Sequence, residues 1–262
     1  MNLLAFDTST DAMSIAVSRT GLYGVSGAQL WQHTAPGGAQ TSTGLIPAIL
    51  ALLQDAGLRL TELDAICFGS GPGSFTGLRT ACSVAQGLAL GANVPVLAVD
   101  SLLAVAEEAR HTALATQGRG VVTALLDARM DELYAATYRY DAGLWVECQP
   151  SALVRPEDLT PWEGNAAAGA GAAMGCPWAM AGNVFTVYGE RVAAASPAAA
   201  AAQRIAALPT AAAMLRLAPA MLAQGMAVSA EHAMPRYVRD KVAKTTAERA
   251  AEKAAAARGI AL

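Results

Sequence analysis

Residues 3–17 read LLAFDTSTDAMSIAV. The run before Asp7 is apolar enough for a buried strand. Met13-Ser14-Ile15-Ala16-Val17-Ser18 alternates apolar and polar, the two-residue period of a half-buried strand. Asp7-Thr8-Ser9-Thr10-Asp11 between them is a turn of hydroxyls and carboxylates. The stretch is a hairpin, and it returns: Val121 to Leu126 is apolar, Asp127-Ala128-Arg129-Met130-Asp131 is a turn, and Leu133 to Tyr138 is a second strand. Asp7 and Asp11 recur in spacing as Asp127 and Asp131. A hairpin repeated half a chain apart implies duplication, two similar halves meeting near residue 100 with both turns facing one cleft. We assign 1–100 to a first subdomain and 101–240 to a second, whose C-terminal helix packs back on the first. Residues 241–262 read as a charged helical or disordered tail.

Working outward, Leu45, Ile49, Leu52 and Leu53 form the stripe of a helix over 45–56. Ala65 to Phe68 is a short strand, and Gly69-Ser70-Gly71-Pro72-Gly73 follows it. Ser74 is a good N-cap for a helix reaching about Leu90. Val94 to Val99 is another strand, with Asp100 or Ser101 capping the next helix. Thr210 to Gln224 forms a further helix, with Leu215 and Leu222 on one side. Alternating strands and helices make the class α/β. Residues 163–177, rich in Gly and Ala, read as a loop or insertion. Residues 193–202 read as alanine-dominated drift.

The chain has 262 residues and a formal net charge of −3, a balance that argues against a large nucleic-acid footprint on this chain alone. Hydrophobic residues are 54%, much of it alanine, and no run of about 18 apolar residues suggests a membrane span. The N-terminus lacks the basic-then-apolar pattern of a secretion signal, which places the protein in the cytoplasm. Cys67, Cys82, Cys148 and Cys176 have no CxxC spacing and read as buried reduced thiols.

The most informative stretch for chemistry is Gly69 to Arg79. It joins a strand to a helix N-terminus, where exposed N–H groups and the helix dipole favour an anion. It lacks the Lys-[Ser/Thr] of a P-loop and the spacing of GxGxxG. On physics alone the better reading is a tight connection where only glycine permits close packing. Asp7 and Asp127 are suited to positioning Mg²⁺ through water or to capping their turns, and turn-capping is the preferred reading. The histidines His33, His111 and His232 show no i, i+4 pair that would share a metal. His33 is placed in a loop, His111 at a helix end and His232 in the closing segment. No HExxH or comparable cluster supports a metallopeptidase.

GSGPGSFTGLRTACSVAQGLALG (69–91) resembles the signature of the TsaB family, bacterial subunits of tRNA threonylcarbamoyladenosine synthesis. LLAFDTSTDAMSIAV is similar to that family's opening hairpin and LLDARMDELYAATY (125–138) to its second. EHAMPRYVRDKV (231–242) resembles its closing Pro-x-Tyr-[Leu/Val]-Arg segment. The likeness covers roughly residues 2–242, more weakly over 140–205. One departure is Thr41, where many relatives have His before Ser-x-x-Leu, so any role of that histidine is not carried over.

The resemblance implies a duplicated actin-like/acetate-kinase-like (ASKHA) ATPase fold in two subdomains. Members of that superfamily place nucleotide between two hairpins, which makes Asp7, Thr8, Ser9, Thr10, Asp127 and Arg129 the candidate nucleotide residues here. The signature loop contributes Gly71, Pro72, Gly73, Ser74, Phe75, Thr76, Gly77 and Arg79. The resemblance further implies a non-catalytic partner of the paralogue TsaD, which transfers a threonylcarbamoyl group to adenosine 37 of tRNAs reading ANN codons. The small ATPase TsaE joins that assembly. No catalytic residue, metal or cofactor of its own is expected; ATP or ADP is a candidate ligand of the assembled complex, and tRNA is met only through it. On the helix after the glycine loop, Phe75, Leu78, Cys82, Ala85 and Leu88 form the expected core face. Thr80, Val84, Gly87 and Gly91 form a second stripe, whose small residues let another helix approach. Packing within the subunit explains such a stripe too; the family pairs through helices of this half, which makes the stripe the expected interface for a homodimer and for TsaD. The alternative is an ATP-dependent carbamoyl or phosphoryl transferase of the same fold.

Overall fold

The computed structural model describes residues 1–20, 27–162 and 177–239. The first sheet holds β1 (Asn2–Asp7), β2 (Ala12–Thr20), β3 (Ala28–Pro36), β4 (Ala65–Gly71) and β5 (Val96–Asp100) in the order β3-β2-β1-β4-β5. The second holds β6 (Arg119–Arg129), β7 (Glu132–Asp141), β8 (Leu144–Val154), β9 (Trp178–Gly182) and β10 (Gln203–Ala206) in the order β10-β9-β6-β7-β8. In each sheet the first three strands form an antiparallel meander and the last two add in parallel beside the first. The two sheets have one topology, so the duplication expected from the repeated hairpin is real.

The helices follow the same logic. α1 (Thr41–Asp55) and α2 (Phe75–Ala92) pack on one face of the first sheet through Leu45, Ile49, Ala81, Cys82, Ala85 and Ala89. α3 (Ser101–Ala113) lays Leu102, Val105 and Ala109 on the second sheet, against Val122, Ala124 and Tyr138. α6 (Ala211–Ala223) lays Ala213, Met214 and Leu217 on the other face of the first sheet, against Leu3, Ala5 and Cys67. α3 and α6 touch each other, so the two crossing helices lie between the lobes. α4 (Phe185–Ala194) and α5 (Pro197–Ala201) cover the outer face of the second sheet through Tyr188, Val192 and Ala199.

Several local expectations change. The alanine-rich residues 193–202 hold the end of α4 and all of α5: Ser196 accepts a hydrogen bond from Ala199 N at 3.0 Å, which starts α5, and Ala199 is buried. His33 lies in β3 opposite Ile15 and not in a loop. Cys148 is half-buried on β8, while Cys67 and Cys82 are buried as expected. The buried face of α2 is Leu78, Ala81, Cys82, Ala85, Ala89 and Ala92; Phe75, expected there, is 38% exposed and packs on the Tyr237 ring instead. The Gly/Ala segment 163–176, Cys176 and the tail from 240 onward lie outside the described residues.

Candidate functional site

The first turn begins where β1 ends. Asp7 Oδ1 accepts from Ser9 N at 2.8 Å and Ser9 Oγ at 2.6 Å, and Oδ2 accepts from Ser101 Oγ at 3.0 Å. The carboxyl lies flat against β4: a Cβ on Gly69 would stand 1.8 Å from Oδ2. Burial pushes the Asp7 pKa up to about 6, although the Ser9 and Ser101 hydrogen bonds pull the other way. Thr8 donates to Gly77 O at 2.7 Å, and Ser9 O accepts from Ser74 N at 2.7 Å. A Cβ on Gly73 would stand 2.5 Å from Ser9 O and one on Gly77 would stand 1.9 Å from Thr8 O. Glycines 69, 73 and 77 are thus the bed on which Asp7-Thr8-Ser9 rests, the close approach that only glycine permits. Ser74 holds the N-cap position of α2, yet its side chain makes no capping bond; its N–H is tied to the turn.

The second turn starts identically. Asp127 Oδ1 accepts from Arg129 N at 2.8 Å, the same side-chain-to-backbone closure two residues on. Beyond that it diverges. Asp127 N donates to Asn183 Oδ1 at 3.0 Å, the Asp127 carboxylate meets Arg129 Nη1 at 3.2 Å, and Tyr188 OH reaches it at 3.4 Å. Arg129 Nη2 also crosses the cleft to Asp11 Oδ2 at 2.5 Å. Arg129, Met130 and Asp131 have φ of 62°, 57° and 61°, three successive non-glycine residues in the left-handed region.

Between the turns lies a cavity of about 290 Å³. Ser9, Thr10 and Asp11 line it from the first lobe with Pro72 to Phe75; Leu126 to Met130, Tyr134 and Asn183 line it from the second. Its third wall is the chain's own closing segment, Arg236 to Arg239. Arg236 N donates to Ser70 O at 2.7 Å and its guanidinium pairs with Asp100 at 2.9 Å. Burial pushes the Asp100 pKa up; the N–H of Leu103, the Arg236 charge, the N–H of Leu102 and the Tyr138 hydroxyl oppose it. The Tyr237 ring lies 5.3 Å from that of Phe75, and its hydroxyl accepts from Arg79 Nε at 3.0 Å. The Arg79 guanidinium sits 3.8 Å over the Phe75 ring. Arg239 reaches the second lobe: Nη2 donates to Ala128 O at 2.9 Å and pairs with Glu132 at 2.7 Å.

Of the six candidate nucleotide residues, Ser9, Thr10, Asp127 and Arg129 meet at the cavity, while Asp7 and Thr8 are buried and turned into the first lobe. Of the signature loop, Pro72 to Phe75 line the cavity and Gly71 lies under Arg236 O. Thr76 O accepts from Thr80 Oγ1 at 3.0 Å within α2. In the stripe, Gly87 and Gly91 are exposed with open space where a Cβ would be; Thr80 and Val84 are half-buried, Val84 against the core. Sequence reasoning missed Asp100, Ser101, Asn183, Arg236 and Arg239. The arginines flanking Tyr237 and Val238, just past the last helix, were the available signal. Among the described residues, no three His, Cys, Asp or Glu gather where a metal could bind, and no helix is long and apolar enough to cross a membrane.

Comparison with known proteins agrees with this architecture. The family model of TsaD, the tRNA N6-adenosine threonylcarbamoyltransferase, matches residues 32–247. The tRNA threonylcarbamoyladenosine biosynthesis protein TsaB of Escherichia coli is 32% identical over 244 residues, covering 93% of this chain and 96% of that protein. The solved structure of YeaZ from Pseudomonas aeruginosa superposes with a TM-score of 0.71 at 35% identity, covering 90% of this chain and 99% of that one. A second Pseudomonas aeruginosa structure, described as similar to peptidase YeaZ, gives a TM-score of 0.74 at 36% identity over 91% and 99% of the two chains. With the signature loop, both hairpins and the closing segment in place, the chain belongs to the TsaB family.

Proposed function

We propose that this chain is a non-catalytic partner subunit in tRNA threonylcarbamoyladenosine synthesis. In this reading it binds and activates TsaD, together with the ATPase TsaE, for threonylcarbamoyl transfer to adenosine 37 of tRNAs reading ANN codons. Family membership supports the pathway. The observation that carries the non-catalytic role is the state of Asp7. A phosphoryl or carbamoyl transferase working between the turns needs carboxylates free to face its ligand; Asp7 is spent on Ser9 and Ser101 beneath the cleft, and Asp11 and Asp127, which line the cavity, are both paired with Arg129. ATP or ADP then belongs to the assembled complex, and tRNA is reached through it.

The proposed docking face is the α2 stripe of Thr80, Val84, Gly87 and Gly91. Used isologously, one patch serves a second copy and TsaD alike, so the two compete. The test is reconstituted tRNA modification with TsaD, TsaE, ATP and tRNA, with and without this chain. Modification is expected to require the chain, and the chain alone to show no transfer and negligible ATP hydrolysis. Because Val84 touches the core, Gly87→Arg is the cleaner disruption: it is expected to abolish both the homodimer and modification while circular dichroism stays unchanged. Turnover by the purified chain that Asp127→Ala removes would sink the non-catalytic reading. Modification undisturbed by Gly87→Arg would sink the interface.

A further inference from the structure

The closing segment does more than line the cavity. Upstream it is fixed to the first lobe: Val228 bridges Val96 in both directions at 2.8 and 2.9 Å, and Ala233 O accepts from Gln86 Nε2 at 2.9 Å. Arg236 then adds the Asp100 pair, and the Tyr237 ring packs at a tilt against Phe75. Val238 packs against the core of the second sheet, and Arg239 makes the polar contacts to that lobe. Its guanidinium donates to Ala128 O, reaches Arg129 O at 3.4 Å and pairs with Glu132, so it grips the second turn on both flanks. The side chain is only 12% exposed. Nη2 serves both carbonyls and the carboxylate, and Nη1 reaches Met130 Sδ at 3.4 Å, so both arms of the planar fork are spent on this turn.

The gripped turn needs support. Met130 and Asp131 are the two loop residues between the paired Arg129 and Glu132, and such a loop takes positive φ at both. Asn-Gly adopts it readily; Met and Asp do so against the clash of Cβ with the carbonyl, and Arg129 before them shares the conformation. Strained backbone of this kind persists when its surroundings over-determine it. Arg239 braces the backbone carbonyls of this turn, while Arg191 meets only the exposed Asp131 carboxylate, at 3.0 Å.

We infer that the closing segment is an intramolecular clamp across the cleft, in which Arg239 is a positioning residue that holds the second turn in its left-handed conformation and ties it to the first lobe. The clamp is independent of the proposed pathway role, since it concerns only this chain. The test is hydrogen–deuterium exchange on the full-length protein. Arg239→Gln is expected to raise amide exchange in the 127–133 turn at least about tenfold, with β1, β4 and α2 unchanged. Arg239→Lys, which keeps the charge and loses the fork, is expected to fall between. The decisive variant places Met130→Asn and Asp131→Gly in the Arg239→Gln background. A turn that prefers positive φ no longer needs the brace, so protection is expected to return. Unchanged exchange at 127–133 in Arg239→Gln, a rise spread evenly through both lobes, or failure of the Asn-Gly turn to restore protection each overturns the clamp.

Discussion

The two turns of this molecule are the same device with opposite fates. Each opens with an aspartate that closes onto the N–H two residues ahead, at 2.8 Å in both. The first is pressed into a bed of glycines and sealed, so that Asp7 is 1% exposed. The second stands out in the cleft, its backbone held in an unfavourable conformation and its carboxylate shared with Arg129. Duplication conserved the spacing that makes the turn. What lies opposite decides what the aspartate can do: glycine on one side, a charged closing segment on the other.

The largest test of this contrast is the glycine bed. Gly77→Ala puts a Cβ 1.9 Å from the Thr8 carbonyl, backbone against backbone, where neither side can yield cheaply. The expected cost is about 3 kcal/mol, read from urea denaturation, with the first turn losing exchange protection before the second. A cost near zero would mean that the first turn is not held by its bed at all.

The next effect is the pH dependence of Asp7. Its pKa rises from an ordinary 3.8 to about 6 in the fold because burial disfavours the carboxylate. The folded protein therefore binds this proton more tightly than the unfolded chain. Its contribution to stability is complete below the unfolded value and is lost as pH rises through about 6. Such a shift corresponds to at most about 3 kcal/mol. Asp7→Asn keeps the Ser9 contacts without the charge. The stability of the wild type relative to this variant is expected to fall from about pH 4 to pH 7, by up to that amount. A flat difference across the range would show that the first aspartate is as well solvated as an exposed one.

The strained tip is expected to yield a smaller gain. Met130→Asn with Asp131→Gly gives the loop residues that positive φ favours, and should stabilise the protein by about 1–2 kcal/mol in thermal or chemical unfolding. The lost Asp131–Arg191 pair counts for little, since those side chains are 76% and 41% exposed. A loss of stability would place the strain elsewhere.

Much of this was legible and some was not, for physical reasons. The hairpins, the α/β class and the duplication follow from alternation and a repeated Asp-x-x-x-Asp, which are local signals. α6 was legible because Thr210 caps it, accepting from Ala213 N at 3.1 Å, and its leucines keep helical spacing. α4, α5 and β10 were not, because alanine carries no periodic contrast: Ala199 and Ala207 are core although their sequence looks featureless. Phe75 was misassigned because an aromatic beside a buried leucine fits the apolar stripe, whereas its partner is Tyr237, far along the chain. Asp7 looked like a cleft residue from its twin Asp127. Only the approach of Gly69 in space turns it inward, and no spacing within the hairpin encodes that.

The smallest effect concerns what joins the turns directly. Arg129 reaches Asp11 at 2.5 Å, a short contact that invites a large energy. Exposure argues otherwise: the side chains are 67% and 84% accessible, so water screens the attraction and both chains give up rotamer freedom to meet. Arg129 is also satisfied within its own turn by Asp127, so losing Asp11 strands no buried charge. A double-mutant cycle over Arg129→Ala and Asp11→Ala is expected to give a coupling below about 1 kcal/mol. It should vanish at about 1 M salt, where the screening length drops to about 3 Å. Arg239, by contrast, is mostly buried and bonded to backbone carbonyls, so its hold on the second turn should resist salt. A salt-resistant coupling above about 2 kcal/mol between Arg129 and Asp11 would reverse that ranking and make the exposed pair the true link between the lobes.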